Sequence, residues 1–327
     1  MAAVDSRCVA DLGEDALLAA VFPLLPEGAD TVLGPGDDAA VVAAADARVV
    51  ISTDVLVEGR HFRTAWSSGA DVGWRAAMAN LADIAAMGAR PTALVVALVL
   101  PGATPVAWVT DLAAGLAAAC EPHGVGVVGG DLSGGEQVVV SITALGDLGG
   151  SPPVLRSGAR AGDVVVHAGV RGRSAAGLAL LDAGAPGDDA LVAAYLRPSP
   201  PVGAGVVASR GGATAMIDVS DGLLRDAGRL ALASGVVIDL DDVAEAFADD
   251  LALLAPAAAG LGADPVVWLL GGGEDHSLLA TLPANAPIPA PFRRVGVVRS
   301  PGEHPAGAVV MGGVQPEVAP GWDHFGG

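Results

Sequence analysis

Residues Gly34 to Asp54 read GPGDDAAVVAAADARVVISTD, and the expected fold is built outward from this stretch. A Gly/Pro turn leads into two adjacent aspartates, and a strand over RVVIS is predicted to end at Ser52, Thr53 and Asp54. Side chains of a strand alternate between its faces, so Ser52 and Asp54 point the same way. Hard oxygen ligands at a strand end suit Mg²⁺ beside phosphate oxygens. A solvated turn and a helix cap explain the same residues, and the stretch alone leaves both readings open.

The chain is long enough for two domains, with 327 residues of which 52% are hydrophobic. The Pro/Gly-rich segment GDLGGSPPVLRSGARAGD is the best boundary, so we expect an N-terminal domain over 1–150 and a C-terminal domain over 151–327. Strands and helices alternate in both halves, with helices expected near 11–25 and 243–254 and strands over TALVVALVL and DVVVHAG. The predicted class is therefore α/β, or mixed α+β.

Charge excludes several kinds of protein. Acidic residues outnumber basic ones by 37 to 17, giving a net charge of −20, so nucleic acid is not an expected partner. Apolar runs stop far short of a membrane span, and no basic segment marks a signal peptide, so a cytoplasmic location without membrane contact is expected.

All 17 basic residues are arginine. Without lysine there is no P-loop and no protein-kinase strand lysine, so metals and arginines must neutralise any nucleotide phosphates.

A predicted helix over Asp71 to Met87 carries Asp83, with Asn80 on the same face. The neighbouring side chains are apolar, and an unpaired buried carboxylate is costly, which favours a metal at Asp83. An exposed polar stripe on the helix is the alternative.

Asp131 follows Gly129 and Gly130 at an expected strand end. The pattern Gly124-x-Gly126-x-x-Gly129 matches a dinucleotide fingerprint in spacing, but its first half lies within a strand-like run, which disfavours that reading. A glycine pair that lets phosphate approach the backbone, with Asp131 on a metal, fits better.

Two further acidic segments could carry chemistry. Asp218, Ser220 and Asp221 join a strand to a helix, where Ser220 or Asp221 could be an N-cap, although a metal–phosphate cluster also explains Asp218. Glu274 follows a run of three glycines, for which a flexible turn is the alternative. Histidine and cysteine spacings give no zinc site, and a lone histidine such as His61 is more often structural.

Together, these stretches resemble the thiamine-monophosphate kinase family, within the ATP-binding superfamily of aminoimidazole ribonucleotide synthetase and selenophosphate synthetase. The matching runs span nearly the whole chain in the family's order: GPGDDAAVV, STDVLVEGRHF, NLADIAAMGARP, GGD, LRSGARAGD, LRPSPP, IDVSDGL, GGGED and GWDHF. The resemblance implies two α/β domains, the first dimerising through its sheet, with ATP and several Mg²⁺ between the domains.

The resemblance also implies roles for individual residues. Metal ligands would be Asp38 (rather than its neighbour Asp37), Ser52, Thr53, Asp54, Asp83, Asp131, Asp218 and Asp221. ATP contacts would be Gly130, Asp131, Arg156 and Ser220. Thiamine phosphate contacts would be His61, Glu274 and Trp322. The chain departs from the pattern at His276, where an aromatic residue such as tyrosine is expected, and at Arg60, where a small or apolar residue is common.

The reaction implied is ATP-dependent phosphorylation of thiamine phosphate to thiamine diphosphate in a homodimer, by direct in-line transfer and without a general base. Two alternatives stay open at this point. One is a different reaction on the same scaffold, such as aminoimidazole ribonucleotide synthesis. The other is a catalytically silent module that binds ATP and Mg²⁺.

Overall fold

The structure is a computed structural model that describes residues 7–35, 39–185 and 189–322. It divides into two compact units, one of residues 1–84 with 91–150 and the other of residues 85–90 with 151–327. Helices and strands mix in both units, which confirms the predicted α/β class. Asp37 and Asp38 lie outside the described residues. Nowhere in the described ranges is a helix long and apolar enough to span a bilayer.

The first unit is built on a sheet with the strand order β3-β6-β4-β5 and a small second sheet of β1 and β2. Strands β3 and β6 run antiparallel, and β4 and β5 run parallel. Short 3-10 turns follow α2 and α4 at Phe22–Leu24 and Glu121–His123. The elements from the start of the chain to residue 147 are α1 (Val9–Leu12), α2 (Glu14–Val21), β1 (Thr31–Leu33), β2 (Val41–Val42), β3 (Val50–Val57), α3 (Gly69–Ala86), β4 (Arg90–Leu100), α4 (Val106–Cys120), β5 (Gly126–Gly134) and β6 (Val139–Asp147).

Helices α3 and α4 pack closely against each other because glycines line their contact. A Cβ atom at Gly115 of α4 would lie 2.1 Å from the carbonyl oxygen of Ala70 in α3. Only hydrogen fits at such a distance, so this glycine sets how near the two helices lie. The close pair fixes α3, the helix that carries Asp83, in position over the sheet.

Three local predictions for this unit were wrong. The triplet Ser52–Asp54 does not end a strand, because β3 continues to Val57. Gly129–Asp131 does not open a loop, because it lies inside β5. The single helix expected near residues 11–25 is broken at Gly13, whose φ of 76° is left-handed.

The second unit holds a six-stranded sheet in the order β12-β9-β11-β7-β10-β8, with β12 and β9 parallel and the other pairs antiparallel. Its elements are β7 (Val164–Ala168), α5 (Arg173–Asp182), α6 (Asp189–Leu196), α7 (Val202–Arg210), β8 (Ala215–Val219), α8 (Leu223–Ser234), β9 (Val237–Leu240), α9 (Val243–Ala246), α10 (Ala248–Leu261), α11 (Pro265–Gly271), β10 (Ser277–Leu282), β11 (Arg293–Arg299) and β12 (Val309–Met311).

The pairing of β8 with β10 brings two of the predicted site segments together. The two strands are antiparallel, with Val219 opposite Ser277 and Asp218 opposite Leu278. The end of β8 therefore lies beside the start of β10. This register brings the turn 218–222 next to the glycine-rich segment 271–276, although the two are far apart in sequence.

Boundaries in the second unit differ from the sequence prediction at two places. The helix expected near Val243–Leu254 is two helices, α9 and α10, separated at Phe247, whose φ and ψ are −132° and 30°. Helix α11 ends at Gly271, the first of the three glycines, and strand β10 begins at Ser277, shortly after the third. Neither element was assigned from the sequence.

Substituting Gly115 tests the helix contact. Gly115→Ala is expected to lower the free energy of unfolding by about 2 kcal/mol or more, because overpacking forces α3 and α4 apart. Urea unfolding followed by circular dichroism measures the change. Gly203→Ala is the matched control, since Gly203 lies in helix α7 and a Cβ added there would have no atom within 4 Å. The control should be neutral or stabilising by up to about 1 kcal/mol; equal effects of both substitutions would contradict the close contact.

Candidate active site

In the first unit, Ser52 and Asp83 are brought together. The Ser52 hydroxyl donates a hydrogen bond of 2.6 Å to Oδ2 of Asp83, joining β3 to α3. Asp83 is partly buried, and Asp54 is exposed on the same face of β3 as Ser52. Three of the predicted metal ligands thus share one face of the sheet, covered by α3.

Thr53 does not join this group through its side chain. It lies opposite Thr143 in the β3–β6 register, and the two hydroxyl oxygens are 2.7 Å apart. Because side chains alternate along a strand, the Thr53 hydroxyl is on the face away from Asp83.

Gly130 and Asp131 lie in β5, opposite Val96 and Ala97 of β4. A Cβ atom at Gly130 would be 1.8 Å from the carbonyl oxygen of Val96, so the neighbouring strand already requires glycine there. Asp131 is exposed and accepts a hydrogen bond of 3.0 Å from Ser133 Oγ. In the strand order, β5 and β3 are the two opposite edges of the sheet.

An apolar cavity of about 160 Å³ adjoins Gly130 and Asp131. Aliphatic side chains of α2 and α4, among them Leu17 and Leu112, line it. The cavity lies wholly within the first unit.

His61 lies in a tight turn just after β3. Its Nδ1 accepts a hydrogen bond of 2.9 Å from the Val57 backbone N–H, and its own backbone N–H donates to the Val57 carbonyl at 3.0 Å. The ring proton of neutral His61 therefore sits on Nε2. The residue belongs to the first unit, whereas Glu274 and Trp322 belong to the second.

In the second unit, Asp218 lies one residue before the end of β8 and is only 5% exposed. Burial raises its pKa, but His276, Ser220 and the positive charge of Arg156 outweigh burial and bring the pKa below its ordinary value. Nδ1 of His276 is 3.9 Å from Asp218 Oδ2, and its Nε2 is 3.9 Å from Glu274 Oε2. His276 thus stands between a predicted metal ligand and a predicted substrate contact.

Asp221 belongs to a network that sequence reasoning missed. Its Oδ2 accepts a hydrogen bond of 2.7 Å from Nη1 of Arg229, which also donates to Asp226 Oδ1 at 2.6 Å. Asp226 Oδ2 in turn accepts from the Asp221 backbone N–H at 2.9 Å. The spacing of Asp226 and Arg229, three residues apart on α8, was the signal available in the sequence.

Main-chain bonds tie the predicted substrate residues to this turn. The Glu274 N–H donates to the Ser220 carbonyl at 2.7 Å, and the Trp322 N–H donates to the Asp221 carbonyl at 2.8 Å. Trp322 keeps 54% of its surface exposed. The rest of the predicted GWDHF motif, residues 323–325, lies outside the described residues.

Asp275, also missed from the sequence, fixes the loop that carries Glu274. It is buried and accepts hydrogen bonds from the backbone N–H groups of Gly172 and Ser174, at 2.6 and 2.9 Å. Nη1 of Arg171, which is fully buried, lies 3.5 Å from Asp275 Oδ2. Glu274 itself has a left-handed backbone, with φ of 68°, a conformation that non-glycine residues adopt mainly where surrounding contacts enforce it.

The donor atoms suit magnesium. Ser52, Asp83 and Asp54 in one unit, and Asp218 and Asp221 in the other, offer hydroxyl and carboxylate oxygens, the hard ligands that Mg²⁺ takes. Within the described ranges, no group of three or more histidine, cysteine, aspartate or glutamate side chains lies close enough to hold an ion.

Known proteins resemble this chain along nearly its full length. A thiamine-monophosphate kinase of Mycobacterium tuberculosis is 48% identical over 324 residues, covering 99% of this chain and 95% of that protein. One from Corynebacterium glutamicum is 44% identical over 302 residues, covering 90% and 88%. The chain belongs to the thiamine-monophosphate kinase family.

Two further comparisons agree with that membership. Residues 36–148 match the family model described as AIR synthase related protein, N-terminal domain. The structure of AaThiL complexed with AMPPCP and TMP superposes with a TM-score of 0.76 at 32% identity, covering 96% of this chain and 98% of that one. As a member of the thiamine-monophosphate kinase family, the protein is a phosphotransferase.

The Asp226 environment predicts a pH dependence of stability in the metal-free protein. Burial and the Asp218 charge raise the pKa of Asp226 from 3.8 to about 6. A carboxyl group with a raised folded-state pKa stabilises most at low pH, and this contribution is lost as pH rises through the folded value. The unfolding free energy of Asp226→Asn, minus that of the unsubstituted protein, should therefore increase by up to about 3 kcal/mol between pH 4 and 7.

Urea unfolding in the presence of a chelator, repeated at several pH values, measures this difference. Carboxyl groups away from Asp226 titrate alike in both proteins and cancel. A difference that stays flat across the range would contradict the raised pKa.

Proposed function

We propose that the protein transfers the γ-phosphoryl group of ATP to thiamine phosphate, giving thiamine diphosphate and ADP, the last step of thiamine diphosphate biosynthesis, in the cytoplasm. The observation that carries this proposal is the turn 218–222, which combines predicted metal ligands with main-chain bonds to Glu274 and Trp322. The names of the relatives and the ligands of the AaThiL complex support the same substrates.

Direct transfer needs no base from the protein. The acceptor is a phosphate monoester with a second pKa of about 6, so it is largely ionised at neutral pH. One of its oxygens forms a bond to the γ-phosphorus of ATP as the bond from that phosphorus to the β,γ-bridging oxygen breaks, and ADP leaves with the electron pair. Positioning and charge stabilisation then account for the rate.

Two polyanions must approach each other, and a single pair of unit charges at 4 Å costs about 4 kcal/mol at an effective dielectric of 20. Bound Mg²⁺ ions would offset that repulsion and stabilise the transferring group. Ser52, Asp54 and Asp83 would hold ions in the first unit, and Asp218 and Asp221 in the second. Asp38 and Asp131 complete the proposed ligand set, with Thr53 contributing its backbone carbonyl, since its hydroxyl points away from Asp83.

For ATP we propose contacts from Gly130, Asp131, Arg156 and Ser220. The apolar cavity beside Gly130 offers a place for the base, because its aliphatic walls suit a flat, weakly polar ring. Arg156 supplies positive charge near Asp218, as its effect on the pKa of that residue indicates.

Thiamine phosphate would meet His61, Glu274 and Trp322. The half-exposed indole of Trp322 suits stacking on a cationic thiazolium ring, and Glu274 supplies a matching negative charge. Nε2–H of His61 is the ring donor that would meet the acceptor phosphate, because Nδ1 accepts the hydrogen bond from Val57.

We further propose that the protein works as a homodimer, with the dimer contact and the ligands Ser52, Asp54 and Asp83 in domain 1–150. Strands β3 and β5 are separated by three strand spacings, or about 14 Å. Oxygen ligands of one Mg²⁺ lie within about 4 Å of one another, so Asp131 cannot reach an ion held by Asp54 of the same sheet. A second copy can supply Asp131 to that ion.

The open face of the same sheet supports a dimer. Ile51 and Val55 of β3 are 67% and 45% exposed, on the face opposite Ser52, and Val95 of β4 is 37% exposed. An apolar sheet face of this kind is usually covered by other protein, because water solvates only a polar sheet face well. Packing two such faces together would remove these side chains from water.

An activity assay tests the proposed function. Pure protein with ATP, Mg²⁺ and thiamine phosphate should give thiamine diphosphate, detected by its chromatographic retention and mass. ATP binding without product at any Mg²⁺ concentration would favour the silent module instead. Isolation of a phosphorylated chain that passes its phosphate to thiamine phosphate would contradict direct transfer.

Mixing two inactive variants tests the shared site. Asp54→Ala and Asp131→Ala should each lose activity by about 100-fold or more, since each removes a metal ligand. Co-refolded together, they should regain up to about a quarter of the original activity, because random pairing gives half mixed dimers with one intact site each. Asp54→Ala mixed with an Asp54→Ala, Asp131→Ala double variant is the control. If the first mixture stays as inactive as this control, each chain builds its site alone.

A further inference from the structure

Arg229 holds one oxygen of a proposed metal ligand. Its Nη1 donates to Asp221 Oδ2 at 2.7 Å and to Asp226 Oδ1 at 2.6 Å, so one nitrogen bridges two carboxylates. The structure gives Asp221 Oδ1 no partner among the residues it describes. One carboxylate oxygen of Asp221, Oδ2, is thus held in place, while the other, Oδ1, is available to a ligand.

Asp226 anchors this arrangement. Its side chain is 1% exposed and lies in the first turn of α8, where its backbone N–H donates to the Gly222 carbonyl at 3.0 Å. Its Oδ2 also accepts the Asp221 backbone N–H at 2.9 Å. Asp226 therefore holds Asp221 twice, directly through the backbone and indirectly through Arg229.

We propose that Arg229 is a positioning residue that restricts Asp221 to a single metal-facing oxygen, Oδ1, with Asp226 as the buried anchor of the pair. This inference rests on the proposed function, in which Asp221 holds Mg²⁺. Arg229 itself touches neither substrate nor metal in this role.

Arg229 acts on the proposed metal site in two opposite ways, through its own charge and through the orientation that it gives Asp221. A guanidinium beside the ligand set repels a divalent cation and so weakens its binding. The same guanidinium keeps the Asp221 carboxylate from turning to present both oxygens, or from reaching the ion together with Asp226. Removing Arg229 should therefore strengthen cation binding and slow turnover, a combination that loss of folding cannot produce.

The test uses Arg229→Met, with Mn²⁺ as the probe because carboxylate sites that take Mg²⁺ also take Mn²⁺. Free Mn²⁺ is followed by electron paramagnetic resonance in the absence of nucleotide, and the relevant site is the one lost in Asp221→Ala. We expect Mn²⁺ to bind about 30-fold more tightly, the effect of removing one unit charge about 4 Å from a divalent cation in a hydrated site. We expect kcat to fall about tenfold, as it does when a group that orients a metal ligand is lost.

Two variants serve as comparisons. Arg229→Lys keeps the charge but has one compact ammonium in place of a planar fork, so Mn²⁺ affinity should stay unchanged while kcat recovers only in part. Arg299→Met is the matched control, because Arg299 pairs with Asp239 at 3.3 Å on strands β11 and β9 and is remote from the turn in the sheet order. It should change neither quantity by more than about twofold.

The outcomes separate the possibilities. Weaker Mn²⁺ binding in Arg229→Met, unchanged kcat, or a joint fall of affinity and melting temperature would each overturn the positioning role. If Arg229→Met does not fold, Arg229→Lys decides alone, through reduced kcat at unchanged Mn²⁺ affinity. If the unsubstituted protein makes no thiamine diphosphate, the proposed function fails, while the Mn²⁺ comparison still tests Arg229.

Discussion

Repulsion between carboxylates is the constraint on which the rest of this structure depends. The chain carries an excess of 20 negative charges and gathers several of them at two places. Several acids at those places have a compensating contact. Ser52 donates to Asp83, Arg229 bridges Asp221 and Asp226, and the backbone amides at the start of α5, with Arg171, hold Asp275. Without a metal, these contacts let the acids coexist while leaving oxygens available.

Much of the fold was accessible from the sequence because its signals are local. The apolar runs before Leu100 and after Asp163 gave strands, and glycine after Met87 ended a helix near the predicted place. The acids at the ends of these elements could be named as candidates for the same reason. Chain order, however, does not give strand order, since pairing depends on contacts between distant segments.

The errors at β3 and β5 share a physical cause. Strand β3 extends beyond the run RVVIS because residues 55–57 continue to pair with β6. The triplet Ser52–Asp54 therefore lies in the middle of the strand, and Thr53 faces away from its two neighbours. The glycine before Asp131 is required by the Val96 carbonyl, which belongs to a different strand. Asp275 acts through partners that only the folded chain brings near, whereas the partners of Arg229, Asp226 and Asp221, are three and eight residues away. In β3, in β5 and at Asp275, a non-local contact overrides a local pattern.

The absence of lysine shows how the compensation is made. Arg171 is fully buried, and it donates to the carbonyl oxygens of Leu269 and Gly272 while lying near Asp275. Burial lowers the pKa of Arg171, with Asp275 opposing that effect, but a guanidinium stays charged where a buried ammonium would lose its proton. The planar fork also allows one side chain to satisfy several acceptors at fixed angles. Arginine therefore gives a protein that must hold several acids near one another both a permanent charge and a fixed geometry. That geometry orders the carboxylates of the site.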